Sequence, residues 1–123
     1  MANKKENAMI LMEEIIQGIE NVKGESIQKM DLRKIENTPF EFFVICSGNS
    51  NTQVSAIVNS IQKNVSKRLH EKPLHTEGLE MSEWVLIDYV NVVVHVFQRK
   101  TRKFYNIEEL WGDAISTQIV SNY

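Results

Sequence analysis

The chain has 123 residues, the size of one ordinary globular domain and too short for a catalytic domain plus a separate binding domain. Hydrophobic residues make up 42% and charged residues 24%, which excludes a disordered or fibrous protein. The formal net charge of −2 excludes a chain that binds nucleic acid through its charge as a whole, so any RNA contact requires a local basic patch.

Cysteine usage and hydropathy favour a cytoplasmic protein. The one cysteine, Cys46, cannot form an internal disulfide and lies in an apolar run, as expected in a reducing compartment. The apolar run from Ala8 to Met12 is followed directly by two glutamates, too early for a signal peptide. No apolar stretch approaches the roughly 20 residues of a membrane span.

The first half of the chain predicts a helix followed by two strands. Apolar residues from Ala8 to Val22 recur at three- and four-residue steps, which predicts an amphipathic helix ended by Gly24. The segment Glu25 to Leu32 alternates imperfectly and predicts a strand exposed on one side. Phe40 to Cys46 is aromatic and β-branched almost throughout, which predicts a central strand covered on both faces.

The stretch Val44 to Asn51, read VICSGNSN, leads from this strand into a second helix. Ser50 and Gln53 have capping-box spacing, and apolar residues recur at helical spacing from Val54 to Leu69, before Pro73. Strand, small residues and helix start is also the geometry of a phosphate loop. However, the Walker and dinucleotide motifs are absent, and no metal-holding carboxylate follows the turn. The stretch therefore favours a structural turn.

The second half predicts three extended segments: Leu74 to Gly78, Glu83 to Tyr89 and Val92 to Gln98. Only two residues separate the last two, which predicts a β-hairpin. Lys100 to Tyr105 and Ile107 to Ser116 predict a helical tail with Asn106 as a cap. Both ends, residues 1–7 and 117–123, are expected to fray.

This order of elements predicts an α/β fold. A strand, a long helix and another strand imply a crossover with parallel pairing, whereas the hairpin is antiparallel. We therefore expect residues 1–123 to form a single domain with a mixed β-sheet flanked by helices.

The titratable residues give no pattern for catalysis or metal binding. Cys46 at the end of an apolar strand favours a small core residue with a raised pKa over a nucleophile paired with His95. His70, His75 and His95 have no ligand spacing with one another or with Cys46. No catalytic residue, metal or cofactor is predicted.

Two segments could instead form binding surfaces. The run Arg99, Lys100, Arg102 and Lys103 is flanked by aromatic residues, as a local RNA contact would be, although a solvated helix start is the favoured interpretation. Trp84 begins a strand with large apolar groups on both faces: Trp84, Leu86 and Asp88 on one, and Val85, Ile87 and Tyr89 on the other. The pattern alone leaves core and interface equally open, since Trp and Tyr often anchor interfaces.

Five groups of residues recur in a familiar order and spacing: FVICSGNS (43–50), Glu77-Gly78, EWVLIDY (83–89), VVHVF (93–97), and the set Arg102, Tyr105, Glu108, Leu110 and Trp111. Together they resemble the Iojap-like family of ribosomal silencing factors, from Ala8 to Ala114. The resemblance implies a fold related to nucleotidyltransferases without their catalytic acids.

The resemblance also implies a non-enzymatic function. Family members bind a protein on the subunit-joining face of the large ribosomal subunit, obstruct the small subunit and lower translation when nutrients are scarce. Carried over to matching positions, the docking surface includes Trp84, Asp88 and Tyr89, with Glu77 nearby, while His95 belongs mainly to the sheet. An exposed apolar sheet surface would also permit a homodimer in the free state.

Two alternatives remain beside this function. One is an RNA-binding or large-subunit assembly module that acts through segment 99–103, and the other is a residual nucleotidyltransferase. The chain departs from the family pattern at Glu41, where aspartate is usual, and at Val90-Asn91, where Gly-Asp is usual. The second change argues against a tight turn with positive φ at its first position, so the loop is expected to have a different shape.

Overall fold

The computed structural model describes residues 4–123. Within this range there are four helices and six strands, in the order α1 (Lys4–Asn21), β1 (Glu25–Asp31), β2 (Phe42–Gly48), α2 (Asn51–Leu69), β3 (His75–Glu77), β4 (Trp84–Asp88), β5 (Val92–Gln98), α3 (Arg99–Tyr105), α4 (Ile107–Leu110) and β6 (Ile115–Gln118). None of the described helices is long and apolar enough to cross a membrane.

The strands form one mixed sheet in the order β3-β4-β5-β2-β1-β6. The central strands β2 and β5 pair in parallel, from Phe42 opposite Val92 to Gly48 opposite Gln98, and the other pairs are antiparallel. Every residue of β2 is buried. The predicted α/β class, mixed sheet, central strand and β4-β5 hairpin are therefore confirmed.

The two faces of the sheet are covered unequally. Helices α1 and α2 cover one face, which we call the helical face, and they approach closely where a Cβ on Gly18 would lie 2.7 Å from Ile61 Cα. The other face, which we call the open face, is covered only in part by segment 32–41, α3 and α4. The open face is formed by Met30, Phe43, Ile45, Trp84, Leu86, Asp88, Val93, His95 and Phe97.

The predicted start of α2 is confirmed, with one difference in detail. The Ser50 hydroxyl accepts a hydrogen bond from the Gln53 backbone N–H at 3.1 Å. The Gln53 side-chain carbonyl accepts from the Asn49 N–H at 2.8 Å rather than from that of Ser50. Serine and glutamine together satisfy two backbone donors at the helix start, so VICSGNSN forms a well-capped turn.

The C-terminal segment differs from the predicted helical tail. After α4 the chain forms β6, which pairs antiparallel with β1, so the prediction of a helix through Ser116 was wrong. Pairing with the outer edge of β1 satisfies backbone groups that would otherwise stay open at a sheet edge, and this tertiary contact outweighs local preference. Asn106 adopts a left-handed conformation as the C-cap of α3 and forms no side-chain cap on α4.

Some residues that the sequence predicts to fray lie in elements of the fold, and the fraying itself stays a prediction. Residues 117–118 lie in β6, and the Tyr123 hydroxyl donates to the Gly24 carbonyl. Residues 4–7 belong to α1, while the expected fraying of residues 1–3 lies outside the described residues.

The turn between β4 and β5 keeps a positive φ at Val90, 80°, contrary to the prediction from its sequence. The Asn91 N–H donates to the Tyr89 carbonyl at 3.1 Å, the bond of a γ-turn centred on Val90. A β-branched residue is strained at positive φ. The hairpin holds this shape because the Tyr89 N–H also donates to the Val92 carbonyl and the Val90 N–H to Asp88 Oδ1.

Val90→Gly is expected to raise the free energy of unfolding by about 0.5–1 kcal/mol, because glycine relieves the strain and the exposed valine packs little. Urea unfolding measures the change. Asn37→Gly is the matched control, since Asn37 has a φ of 63° but asparagine tolerates this region. A loss of stability in Val90→Gly would show that Val90 is not strained.

Candidate docking surface

Trp84 occupies the open face at the start of β4, where its side chain is half-buried. Its indole stacks on Phe97, the cross-strand partner in β5, with ring centroids 4.8 Å apart. Tyr105 of α3 also packs against it, with centroids 5.0 Å apart. The indole Nε1–H donates a 3.1 Å hydrogen bond to His95 Nδ1. Two aromatic contacts and one hydrogen bond therefore hold the indole in place.

His95 lies below this tryptophan and is 5% exposed. Its ring meets Phe43 edge to face, with centroids 4.5 Å apart. Because Nδ1 accepts from Trp84, neutral His95 carries its proton on Nε2, and Nε2 is buried without a hydrogen-bond partner among the described residues. Burial lowers the pKa of His95 to about 4, so the side chain is neutral at neutral pH.

This buried histidine makes the fold sensitive to mild acid. The folded pKa of about 4 lies below 6.5, the ordinary pKa of a histidine side chain. Between these values the unfolded chain binds more protons, so stability is full above the upper value and falls as pH decreases. We expect this group to remove about 1 kcal/mol of unfolding free energy between about pH 6.5 and 5.5. Urea unfolding should show a smaller loss in His95→Asn, and equal losses in both proteins would contradict the assignment.

Acidic groups line the outer edge of the open face. In the β3-β4 pair, Glu77 lies opposite Leu86 and His75 opposite Asp88, on the same face as Trp84. The His75 ring lies between the two carboxylates, 3.6 Å from Glu77 Oε1 and 3.7 Å from Asp88 Oδ2. The Glu77 side chain is 69% exposed, whereas that of Asp88 is 17% exposed and also accepts the Val90 N–H. Glu77 is thus the more accessible carboxylate, and Asp88 also braces the hairpin.

Tyr89 does not share this surface. Strand alternation directs its side chain to the helical face, where it is 4% exposed within the core. Burial raises the pKa of Tyr89 to about 12. The structure thus brings Trp84, Asp88 and Glu77 to one face and separates Tyr89 from them, and we correct the predicted set accordingly.

Helices α3 and α4 and the residues after them bring further aromatic and apolar side chains, which the sequence did not assign to a surface, next to the open face. Tyr105, 54% exposed, packs on Trp84, and Leu110 is 76% exposed. Trp111 is partly buried and packs edge to face on Phe43, with centroids 5.7 Å apart. The sequence signal was a pair of large aromatic residues close to Asn106, but the left-handed turn that folds α4 back could not be predicted from it.

The four residues of the predicted basic run differ in their contacts: within the described part of the chain, the two arginines are paired with carboxylates and the two lysines are not. Arg99 forms an ion pair with Glu25, with a 2.9 Å bond from Nε to Oε1. Arg102, with its side chain only 12% exposed, pairs with Glu108 at 2.6 Å. Lys100 and Lys103 are exposed, and neither has an ion pair among the described residues. Of the four basic residues in this described run, only the two lysines are therefore free to meet an external anion.

The stretch VICSGNSN is occupied by internal contacts. The Ser47 hydroxyl accepts from Arg102 at 2.8 Å, and a Cβ on Gly48 would lie 3.2 Å from the Val54 nitrogen. Cys46 is fully buried, and burial raises its pKa to about 12, which confirms the prediction of a core cysteine. Within residues 4–123, no three or more His, Cys, Asp or Glu residues are grouped as a metal site would require.

An aromatic surface on one half-covered face of a mixed sheet is typical of a small α/β protein that acts by binding another macromolecule. The family model described as "ribosomal silencing factor during starvation" matches residues 4–122. The chain belongs to this family, the Iojap-like ribosomal silencing factors, whose members regulate translation in association with the ribosome. The resemblance drawn from the sequence motifs is confirmed.

Individual relatives agree in sequence and in structure. A ribosomal silencing factor from Halalkalibacterium halodurans is 37% identical over 109 residues, which cover 89% of this chain and 92% of that protein. A crystal structure of a Chromobacterium violaceum protein is 34% identical, with a TM-score of 0.79 and 92% of each chain covered. A more distant Mus musculus protein, named mitochondrial assembly of ribosomal large subunit protein 1, is 30% identical over 73 residues, which cover 58% of this chain and 32% of that protein.

Proposed function

We propose that this chain is an anti-association factor. Its open face around Trp84 docks on a protein at the subunit-joining face of the large ribosomal subunit. The body of the domain then occupies space that the small subunit needs, which represses translation under nutrient limitation. In this proposal the chain acts in the cytoplasm by binding tightly at a position that the small subunit must occupy. It catalyses no reaction.

The observation that carries this proposal is the half-buried, hydrogen-bonded indole of Trp84 on a sheet face that the helices leave partly uncovered. Aromatic residues held in place lose little freedom on binding and are frequent anchors of interfaces. A standard interface of about 800 Å² per partner would suffice. The exposed Glu77 at the edge of this face suits a partner with a positively charged rim.

The family description and the name of the mouse relative support the ribosome, and its large subunit in particular, as the partner. Cosedimentation tests this choice directly. The chain is mixed separately with purified large subunits, small subunits and protein-free ribosomal RNA, and the pelleted fraction is measured. We expect tight binding to large subunits, none to small subunits, and at most much weaker binding to protein-free RNA. Binding to naked RNA as tight as to large subunits would instead favour the RNA-binding module.

Lys100 and Lys103 favour a secondary contact with ribosomal RNA, because both are exposed beside the open face on α3. Each phosphate contact adds about one unit to the dependence of log affinity on log salt. Replacing both lysines by glutamine is expected to reduce that slope by about two and to weaken binding only modestly at low salt. The matched control is the same change at Lys63 and Lys67 of α2, which cover the opposite side. An unchanged slope in the α3 variant would contradict the proposed RNA contact.

The same open face suits self-association when the ribosome is absent, since Tyr105, which packs on Trp84, is 54% exposed. The free chain is therefore proposed to form a homodimer through this face. Sedimentation equilibrium should show dimers that dissociate as large subunits are added, and dimers that bind large subunits intact would contradict a shared surface.

A further inference from the structure

We propose that His95 is a positioning residue of the docking surface, in which Nδ1 accepts the indole N–H of Trp84 and thereby fixes the orientation of the anchor. This inference rests on the proposed docking function. His95 itself is buried and is not expected to touch the partner.

The register of the hairpin gives His95 this role. Phe97 lies directly opposite Trp84, and His95, opposite Leu86, is the diagonal neighbour of Trp84. Stacking on Phe97 fixes the plane of the indole, but rotation about the bond that carries the ring can reverse the indole within nearly the same plane. The two orientations differ in which edge carries the N–H. The 3.1 Å bond to His95 Nδ1 selects one of them.

Local packing alone would not favour a histidine at this position. The other residues of β5 from Val92 to Phe97 are apolar and buried. His95 adds to this strand a buried Nε2–H that has no partner among the described residues. Buried polar groups that reduce stability are characteristic of functional positions. Here the functional gain is that the indole of Trp84 is held with its N–H edge toward His95 and its other edge in a fixed position for the partner.

Two substitutions separate positioning from packing. His95→Leu removes the acceptor and also removes the unpaired N–H. His95→Asn keeps an acceptor, because its Oδ1 occupies nearly the place of Nδ1. We expect His95→Leu to fold with at least the stability of the parent chain but to bind large subunits about three- to tenfold more weakly, the typical cost of ordering one side chain on binding. His95→Asn should retain most of the affinity.

The indole N–H resonance reports the hydrogen bond, and because both variants lose the imidazole ring, the difference between them reports the acceptor alone. The chain has two tryptophans, so the Trp84 signal is identified by its loss in Trp84→Phe. In ¹H–¹⁵N spectra this signal should shift much further in His95→Leu than in His95→Asn, and equal shifts in both variants would contradict the role of the acceptor.

The outcomes distinguish this inference from the proposed function. If Trp84→Ala binds large subunits as tightly as the parent chain, the docking surface itself is wrong. If Trp84→Ala loses affinity while His95→Leu keeps it, docking stands and the positioning role is overturned. Equal losses of stability and affinity in both His95 variants would assign His95 to packing and also overturn it.

Discussion

Trp84→Ala is expected to weaken binding to the large ribosomal subunit by at least about thirtyfold, which corresponds to about 2 kcal/mol. The substitution removes the aromatic anchor of the open face together with its hydrogen bond to His95. Phe97, on which the indole stacks, is fully buried and should keep the local core intact. A labelled chain titrated with large subunits and followed by sedimentation gives the two dissociation constants.

Two further variants help to distinguish a loss of binding contacts from a loss of folding. Met9→Ala is the matched control, because Met9 is an exposed apolar residue of α1, on the side of the helical face, and its loss should leave affinity unchanged. Glu77→Lys reverses an exposed charge at the edge of the open face without removing packing, and should weaken binding severalfold. If the dissociation constant of Trp84→Ala lies within threefold of that of the parent chain, Trp84 is not the anchor of the interface.

Arg102→Met is expected to lower the free energy of unfolding by about 3 kcal/mol, the usual cost of breaking a largely buried ion pair from one side. The guanidinium pairs with Glu108 and donates to the Ser26 carbonyl and the Ser47 hydroxyl, at 2.7 and 2.8 Å. It thus joins α3 to β1, β2 and α4. Its removal leaves a carboxylate that is 23% exposed and a buried hydroxyl without their donor.

Urea unfolding measures this loss, and the neighbouring Lys103→Met is its control. Lys103 is exposed and has no ion pair among the described residues, so its replacement should change stability by less than about 0.5 kcal/mol. Arg102→Lys should recover little, because an ammonium group cannot reproduce the planar set of donors. A loss below about 1 kcal/mol in Arg102→Met would show that the network contributes little.

Segments with strong local patterns were predicted well. The apolar run of β2, the Ser50-Gln53 cap of α2 and the β4-β5 hairpin each carry a signal within a few neighbouring residues. The side of Trp84 also followed from strand alternation, as did the opposite side of Tyr89. The family resemblance nevertheless assigned Tyr89 to the docking surface, where strand geometry does not place it.

Features that depend on distant contacts were not predicted. Strand β6 forms because the edge of β1 is available, a fact that no property of Ile115–Gln118 reveals. The division of the basic run depends on Glu25 and Glu108, which are brought to Arg99 and Arg102 only by the fold. Val90 retains a strained turn because the bonds of the whole hairpin outweigh its local preference. The hydrogen bond from Trp84 to His95 likewise depends on register.

Association of ribosomal subunits tests the central proposal most directly. Large subunits are first saturated with the chain, small subunits are added, and light scattering with gradient sedimentation measures the fraction of joined particles. We predict that joining falls in proportion to the occupied large subunits, and that Trp84→Ala at the same concentration has little effect. If large subunits that carry the bound chain join small subunits as fully as free ones do, the chain does not act by blocking association.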